Sequence, residues 1–179
     1  MGVYVNSVLL KDEHLVFATG IHWIVFVPGL AVLLAGLFLM MSWGGYGPSL
    51  FGNPDVDAVA RMFSYVPLMI FGVGILLLGT AYISRISTEL AVTNRRVIAK
   101  FGFISRTTYE LFLNKVEGAN VDQTIFGRIF NYGSVLVKGT GSGLSPIHKI
   151  AYPLKFQRHL LDQIERYQEG PSDRASRND

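Results

Sequence analysis

Three periods of polarity follow one another along the chain. Residues 21–43 and 62–84 hold no Asp, Glu, Lys or Arg. About 20 apolar residues in helical form cross the hydrocarbon core of a bilayer, so two membrane-spanning helices are predicted. From Ile86 the pattern alternates: Ile86, Thr88, Leu90 and Val92 point one way, and Ser87, Glu89, Ala91 and Thr93 the other, as in a half-buried strand. Five more short runs cover residues 97–101, 107–113, 116–123, 134–139 and 147–152, with turn signals such as Thr93-Asn94-Arg95, Gly102 and Asn131-Tyr132-Gly133 between them. One short helical turn is expected around Gly127-Arg128. Short strands spaced in this way read as antiparallel β, a sandwich or an open barrel. The third period is helical. Phe156, Leu160, Ile164 and Tyr167, with Leu161, form an apolar stripe that Pro153 opens and Gly170-Pro171 closes, and such a stripe must be buried, here over one end of the sheet.

The two apolar spans are better read as retained anchors than as a signal peptide and a core helix. Mixed charge (Lys11, Asp12, Glu13) precedes the first, and no small-x-small cleavage site follows it. Residues 44–61 form a Gly- and Pro-rich loop whose end, Asn53-Pro54-Asp55 with Asp57, carries a helix-start signal. Pro28 and Pro67 fall inside the spans, where neighbouring helices can absorb lost hydrogen bonds. Gly29, Ala31, Ala35, Gly36, Gly72, Gly74 and Gly79 allow the helices to approach closely. His22, beside Trp23, is expected at the membrane interface. The loop offers only Arg61, whereas Lys11 flanks the first span and Arg85, Arg95, Arg96 and Lys100 follow the second. Basic residues accumulate on the cytoplasmic side, so both termini are expected there. The organisation expected is an N-terminal segment (1–20), helices at 21–43 and 62–84 joined by an external loop (44–61), a soluble domain (85–169) and a disordered tail (170–179).

Composition narrows the chemistry. A chain of 179 residues has room for one domain and an anchor. Residues 84–179 carry fourteen Lys/Arg against nine Asp/Glu, so the basic charge belongs to the second half. With no Cys there is no disulfide, thiol nucleophile or thiolate metal site. The four His (14, 22, 148 and 159) show no metal-ligand spacing, and no HExxH, nucleophile elbow, Walker loop or dinucleotide fingerprint occurs. No catalytic residue, metal or cofactor is therefore expected. The aromatic residues fall on core faces rather than on a stacking platform, which argues against nucleic acid.

The run Leu90-Ala91-Val92-Thr93-Asn94-Arg95-Arg96-Val97-Ile98, Gly102, the strand around Glu110 and Val116-Glu117 carry a family resemblance. So do Gln123, Gly127-Arg128-Ile129-Phe130, Tyr132-Gly133 and the Gly139-Thr140-Gly141 turn. Together with Leu9-Leu10-Lys11-Asp12-Glu13 and His22-Trp23, they make the chain resemble the membrane-anchored bacterial pleckstrin-homology (PH-like) proteins, formerly a domain of unknown function. The resemblance implies a membrane α-hairpin followed by an α+β PH-like domain, a small antiparallel barrel of seven strands capped by the C-terminal helix. It also implies residence in the bacterial inner membrane. The residues themselves yield six strand-like runs.

Arg85, Arg95, Arg96 and Lys100 are the candidates for binding anionic lipid headgroups, since they follow closely on the second span. PH domains outside bacteria often hold inositol phosphates with basic residues of the first hairpin, and Arg95 and Arg96 occupy a comparable place. One of the two can equally anchor the turn. Gly139-x-Gly141-x-Gly143 lacks the following helix that a phosphate loop needs and reads as a hairpin connection. Arg128 is expected to hydrogen-bond backbone carbonyls at a corner. The expected function is a non-enzymatic membrane protein whose cytoplasmic domain binds a protein partner as an adaptor or scaffold. The alternative is lipid-headgroup binding or surface sensing by the basic residues. Membrane lipids are the other expected partner, and a homo-oligomer is left open.

Overall fold

A computed structural model of the chain describes residues 8–44, 63, 65–102, 107–140 and 145–169. It falls into two compact units, Trp23–Ile83 and a unit combining Met1–His22 with Ser84–Asp179. The loop signals at Asn53-Pro54, the Gly141–Gly143 part of the glycine-rich turn and the tail lie outside the described residues.

The first unit is helical. A 3-10 turn (Trp23–Val25) leads into α1 (Phe26–Gly44), and α2 begins at Val66 and runs to Ser87. Over Trp23–Ser42 and Val66–Ser87 the mean hydropathy is 2.6 and 2.2, yet only 11% and 17% of the residues are buried. Both are long and apolar enough to cross a membrane. Pro28 and Pro67 lie in the first turns of α1 and α2 rather than in mid-span. There no intrahelical hydrogen bond is lost, which is why neither helix breaks.

The expected small-residue approach is seen where Gly29 meets Leu78, Gly36 meets Phe71 and Gly74 meets Leu33. A Cβ on Gly36 would lie 2.6 Å from the Phe71 backbone nitrogen, and one on Gly74 would lie 2.6 Å from the Leu33 backbone. Hydrogen in place of a methyl group sets that spacing. Gly72 and Gly79 face open space.

In the second unit, β1 (Leu15–Gly20) precedes the helices and β2 (Glu89–Thr93), β3 (Arg96–Phe101) and β4 (Thr107–Phe112) follow them. These four form one antiparallel sheet in the order β1-β2-β3-β4, with Gly20 opposite Glu89, Ala18 opposite Ala91 and Glu89 opposite Lys100. A 3-10 turn, Leu113–Lys115, leads to the second sheet, β5 (Val116–Asp122), β6 (Tyr132–Gly139) and β7 (Ile147–Ala151), in that order. The six-residue α3 (Ile125–Phe130) joins β5 to β6, and α4 (Pro153–Gln168) ends the unit.

The seventh strand is thus β1, and it corrects the expected domain boundaries. Residues 15–20, expected within an N-terminal segment (1–20), share a sheet with residues 89–112. The domain is interrupted by the two helices. The expected barrel is also only partly realised: among the described residues there are two sheets, linked by a single bridge from Ile21 to Ile150. A core of Leu90, Val92, Val97, Leu113, Val135, Val137 and Ile150 is joined by Phe156, Leu160 and Ile164 of α4, the predicted capping stripe, while Leu161 and Tyr167 are exposed. The alternation in β2 does not leave one face wet. Ala91 and Ile98 on its other side pack with Leu9, Leu15 and Ala18, so the segment before β1 covers that face too.

Gly74→Ala and Gly36→Ala are expected to destabilise the helix pair by about 1–3 kcal/mol through overpacking, while Gly72→Ala has little effect. Unfolding of the three purified full-length variants in detergent checks the contrast.

Candidate functional site

The Thr93-Asn94-Arg95-Arg96 turn between β2 and β3 grips the segment that precedes β1. Leu10 to Glu13 form a tight turn, with the Glu13 N–H bonded to the Leu10 carbonyl at 3.0 Å and Asp12 at φ 69°. Asp tolerates that left-handed conformation better than most residues. Asn94 then reads the backbone beyond the turn: its Nδ2 donates to the Asp12 carbonyl at 3.2 Å and its Oδ1 accepts from the His14 N–H at 3.0 Å. Arg96 completes the clasp. Its Nε donates to Glu13 Oε1 at 2.9 Å, Nη2 to Glu13 Oε2 at 2.8 Å and to the Val8 carbonyl at 3.1 Å, and Nη1 to Glu110 Oε2 at 2.6 Å. The Thr93 hydroxyl donates to Glu13 Oε1 at 2.7 Å and accepts from the Arg96 N–H at 3.0 Å.

The Glu13 side chain is fully buried and that of Arg96 is 7% exposed. Burial by itself pushes the Glu13 carboxyl up. The Leu10 N–H, the Arg96 guanidinium and the Thr93 hydroxyl outweigh it and hold the carboxyl below its ordinary value. For Arg96, burial acts against the charge, and Glu13 and Glu110 more than compensate. The bidentate fork fits a planar guanidinium and would not be matched by lysine.

At the far end of the second sheet α3 is built from backbone contacts. Thr124 caps it, its Oγ1 accepting from the Gly127 N–H at 3.1 Å, and Asn131 ends it in the left-handed conformation. Gln123 Nε2 donates to the Gly127 and Tyr132 carbonyls at 3.2 and 2.9 Å. A Cβ on Gly127 would lie 2.6 Å from the Tyr132 carbonyl oxygen, so only glycine allows this close return to β6. The carbonyl-binding role expected of Arg128 therefore belongs to Gln123. Arg128 is exposed and borders a cleft of about 550 Å³ with Asp122, Asn131 and Leu154.

Residues 13–164 match the family model described as bacterial PH domain. The match begins at the buried Glu13, spans both apolar helices and ends at Ile164, the last buried residue of α4. The chain belongs to the bacterial PH domain family. No curated protein matches it.

The strand order of this bacterial PH domain relocates the basic residues singled out in the sequence. Because β1 lies upstream, the connection of the first hairpin is the whole helical insertion, and Arg95 and Arg96 sit in the second, β2–β3. The four cations also do not gather. Arg96 is enclosed by two carboxylates, and Lys100 stands opposite Glu89 in register. Arg95 is exposed at the turn, and Arg85 is half-buried in the last turn of α2. Lys100 lies four strand steps beyond Arg96, roughly 13 Å at strand rise, which exceeds the Debye length of about 8 Å.

His22 is buried in the PH domain, its N–H bonded to the Lys149 carbonyl at 2.7 Å and its ring stacked 5.6 Å from that of Tyr132. His148 Nδ1 lies 2.9 Å from the Ser134 hydroxyl, and His159 stacks on Phe17 at 4.8 Å. Among the described residues no group of acids and histidines could hold a metal ion. The sequence signal for the clasp is weak: Glu13 is one of only four acids before residue 84, and no residue next to Arg96 points to it.

Removing one partner of the clasp, by Glu13→Ala or Arg96→Ala, leaves a buried charge unpaired and is expected to cost about 3–5 kcal/mol. Arg95→Ala should stay within about 0.5 kcal/mol. Thermal or denaturant unfolding of the full-length chain in detergent separates them. Because the Glu13 carboxyl is depressed in the fold, its contribution is present above the ordinary carboxylate value of about 4.3. It is lost as pH falls through the lower folded value. An acid titration of stability should show this loss in the wild type and not in Glu13→Gln.

Proposed function

We propose that this bacterial PH domain protein is a non-catalytic binding module anchored in the bacterial inner membrane, with α1 and α2 spanning the bilayer and the PH domain in the cytoplasm. One observation carries the reading: β1 before the helices and β2 after them lie side by side in one sheet, with Ala18 opposite Ala91. Two crossings return the chain to the side it left, so a spanning pair is compatible with that sheet and a single crossing is not. Lys11, Arg85, Arg95, Arg96 and Lys100 outnumber Arg61 of the loop and favour the cytoplasmic side for the domain.

The partner in this reading is a protein. β4 ends the first sheet, with β3 as its strand neighbour, and Tyr109 and Phe112 on it are about half exposed. A strand that is terminal in its sheet among the described residues, with exposed aromatic side chains, supports recognition by strand addition, in which backbone hydrogen bonds give affinity and side-chain pockets give specificity. The separation of the four basic residues lends the headgroup alternative less support.

Protease added to intact spheroplasts should leave the PH domain whole, and the same protease on inverted vesicles should digest it; the reverse pattern contradicts the orientation. A photoreactive residue replacing Tyr109 or Phe112 in native membranes should give discrete adducts of higher mass that contain a second polypeptide. Adducts with lipid alone would count against a protein partner at this edge.

A further inference from the structure

Six of the large apolar side chains that the PH domain leaves exposed gather at one place: Ile125, Phe126, Ile129 and Phe130 of α3, and Tyr152 and Leu154 where α4 begins. The first three are 78%, 66% and 65% exposed. The two groups adjoin, since the Tyr152 N–H bonds to the Asn131 carbonyl at 2.8 Å and Leu154 borders the same cleft as Arg128. Only Gly127 of α3 is buried, and the helix is held by the Thr124 cap, by Gln123 and by the left-handed Asn131. The chain has therefore built a helix that turns its apolar residues outward, and contiguous apolar surface of this kind marks a contact.

Position and charge name the contact. Tyr132, which follows α3, is stacked on His22, the residue before the first apolar helix begins at Trp23. Lys149, whose carbonyl accepts the His22 N–H, is exposed, as are Arg128 and Lys155, with Asp122 the acid beside the cleft. An apolar face with a predominantly basic rim is the composition of elements that lie in the boundary between lipid headgroups and acyl chains.

We propose that Ile125, Phe126, Ile129 and Phe130, with Tyr152 and Leu154, form a ledge that seats in the headgroup–acyl boundary of the anionic leaflet in which the same chain is anchored. The ledge rests on the membrane-anchored reading above. It gives the PH domain a second attachment to the bilayer, independent of α1 and α2 and of the four basic residues considered earlier.

The chain has no Cys, so single nitroxide labels can be placed without background in the full-length protein. Labels replace Phe126 or Ile129, with Arg95 at the β2–β3 turn and Ile75 within α2 as references. The protein is reconstituted in phosphatidylcholine vesicles with and without phosphatidylglycerol. The ratio of oxygen to nickel-chelate accessibility should be several-fold higher at 126 and 129 than at 95, higher with the anionic lipid, and at a depth of about 5–10 Å. Nickel-accessible labels at 126 and 129, with 75 still oxygen-favoured, would overturn the ledge and leave the anchor standing. A water-accessible label at 75 would overturn both. Exclusion of both reagents at 126 with spin coupling between two chains would replace the ledge by a contact between copies.

Discussion

A buried carboxylate–guanidinium pair, Glu13 with Arg96, joins two parts of the chain that are separated by the whole helical insertion. Such pairs add little net stability against an apolar substitute, but half of one is costly to leave buried. The clasp therefore acts on which arrangement forms. With Arg96 on β3 and Glu13 ahead of β1, the segment before β1 cannot leave without stranding a charge. A slip of one residue in the pairing would turn every side chain of β1 to the wrong face. Asn94 and the Val8 carbonyl reinforce the same alignment through the backbone. Correct pairing of β1 in turn closes the core on which α4 packs.

The insertion of two apolar helices between neighbouring strands has mechanical meaning. Gly20 and Glu89 are paired in register, and the helical insertion leaves and re-enters the PH domain beside them. A domain joined to an insertion at two adjacent strand ends carries two covalent tethers to it rather than one. The two contact surfaces proposed above, the β4 edge and the apolar residues of α3, differ in chemistry, one offering backbone hydrogen bonds and the other apolar side chains with a basic rim.

Much of this architecture was legible in the sequence, and the failures have specific causes. The helices declared themselves by uninterrupted apolarity, β5, β6, β7 and α4 by period and turn residues, and α3 by its Gly-Arg pair. β1 escaped because Leu15–Gly20 runs directly into the apolar span, so its weak alternation is lost against that background. Its partner β2 was read as half-buried because the covering segment, Leu9 to Leu15, lies on the other side of the helices in sequence. The same distance hid the clasp: nothing local to Arg96 reveals Glu13. Gln123 took the corner from Arg128 because a neutral amide can donate to two carbonyls without burying a charge. The backbone bond of His22 to β7 was also hidden by distance, since Lys149 lies far along the chain.

The central claim is that β1 and β2 are one sheet across the insertion, and a cross-link in native membranes tests it most directly. Cysteines replacing Ala18 and Ala91, which face each other in register, are oxidised in isolated membranes, and a protease site engineered between residues 44 and 61 is then cut. The two fragments should remain together on a denaturing gel until reductant is added. Separation of the fragments without reductant, after confirmed cleavage and oxidation, would contradict the account.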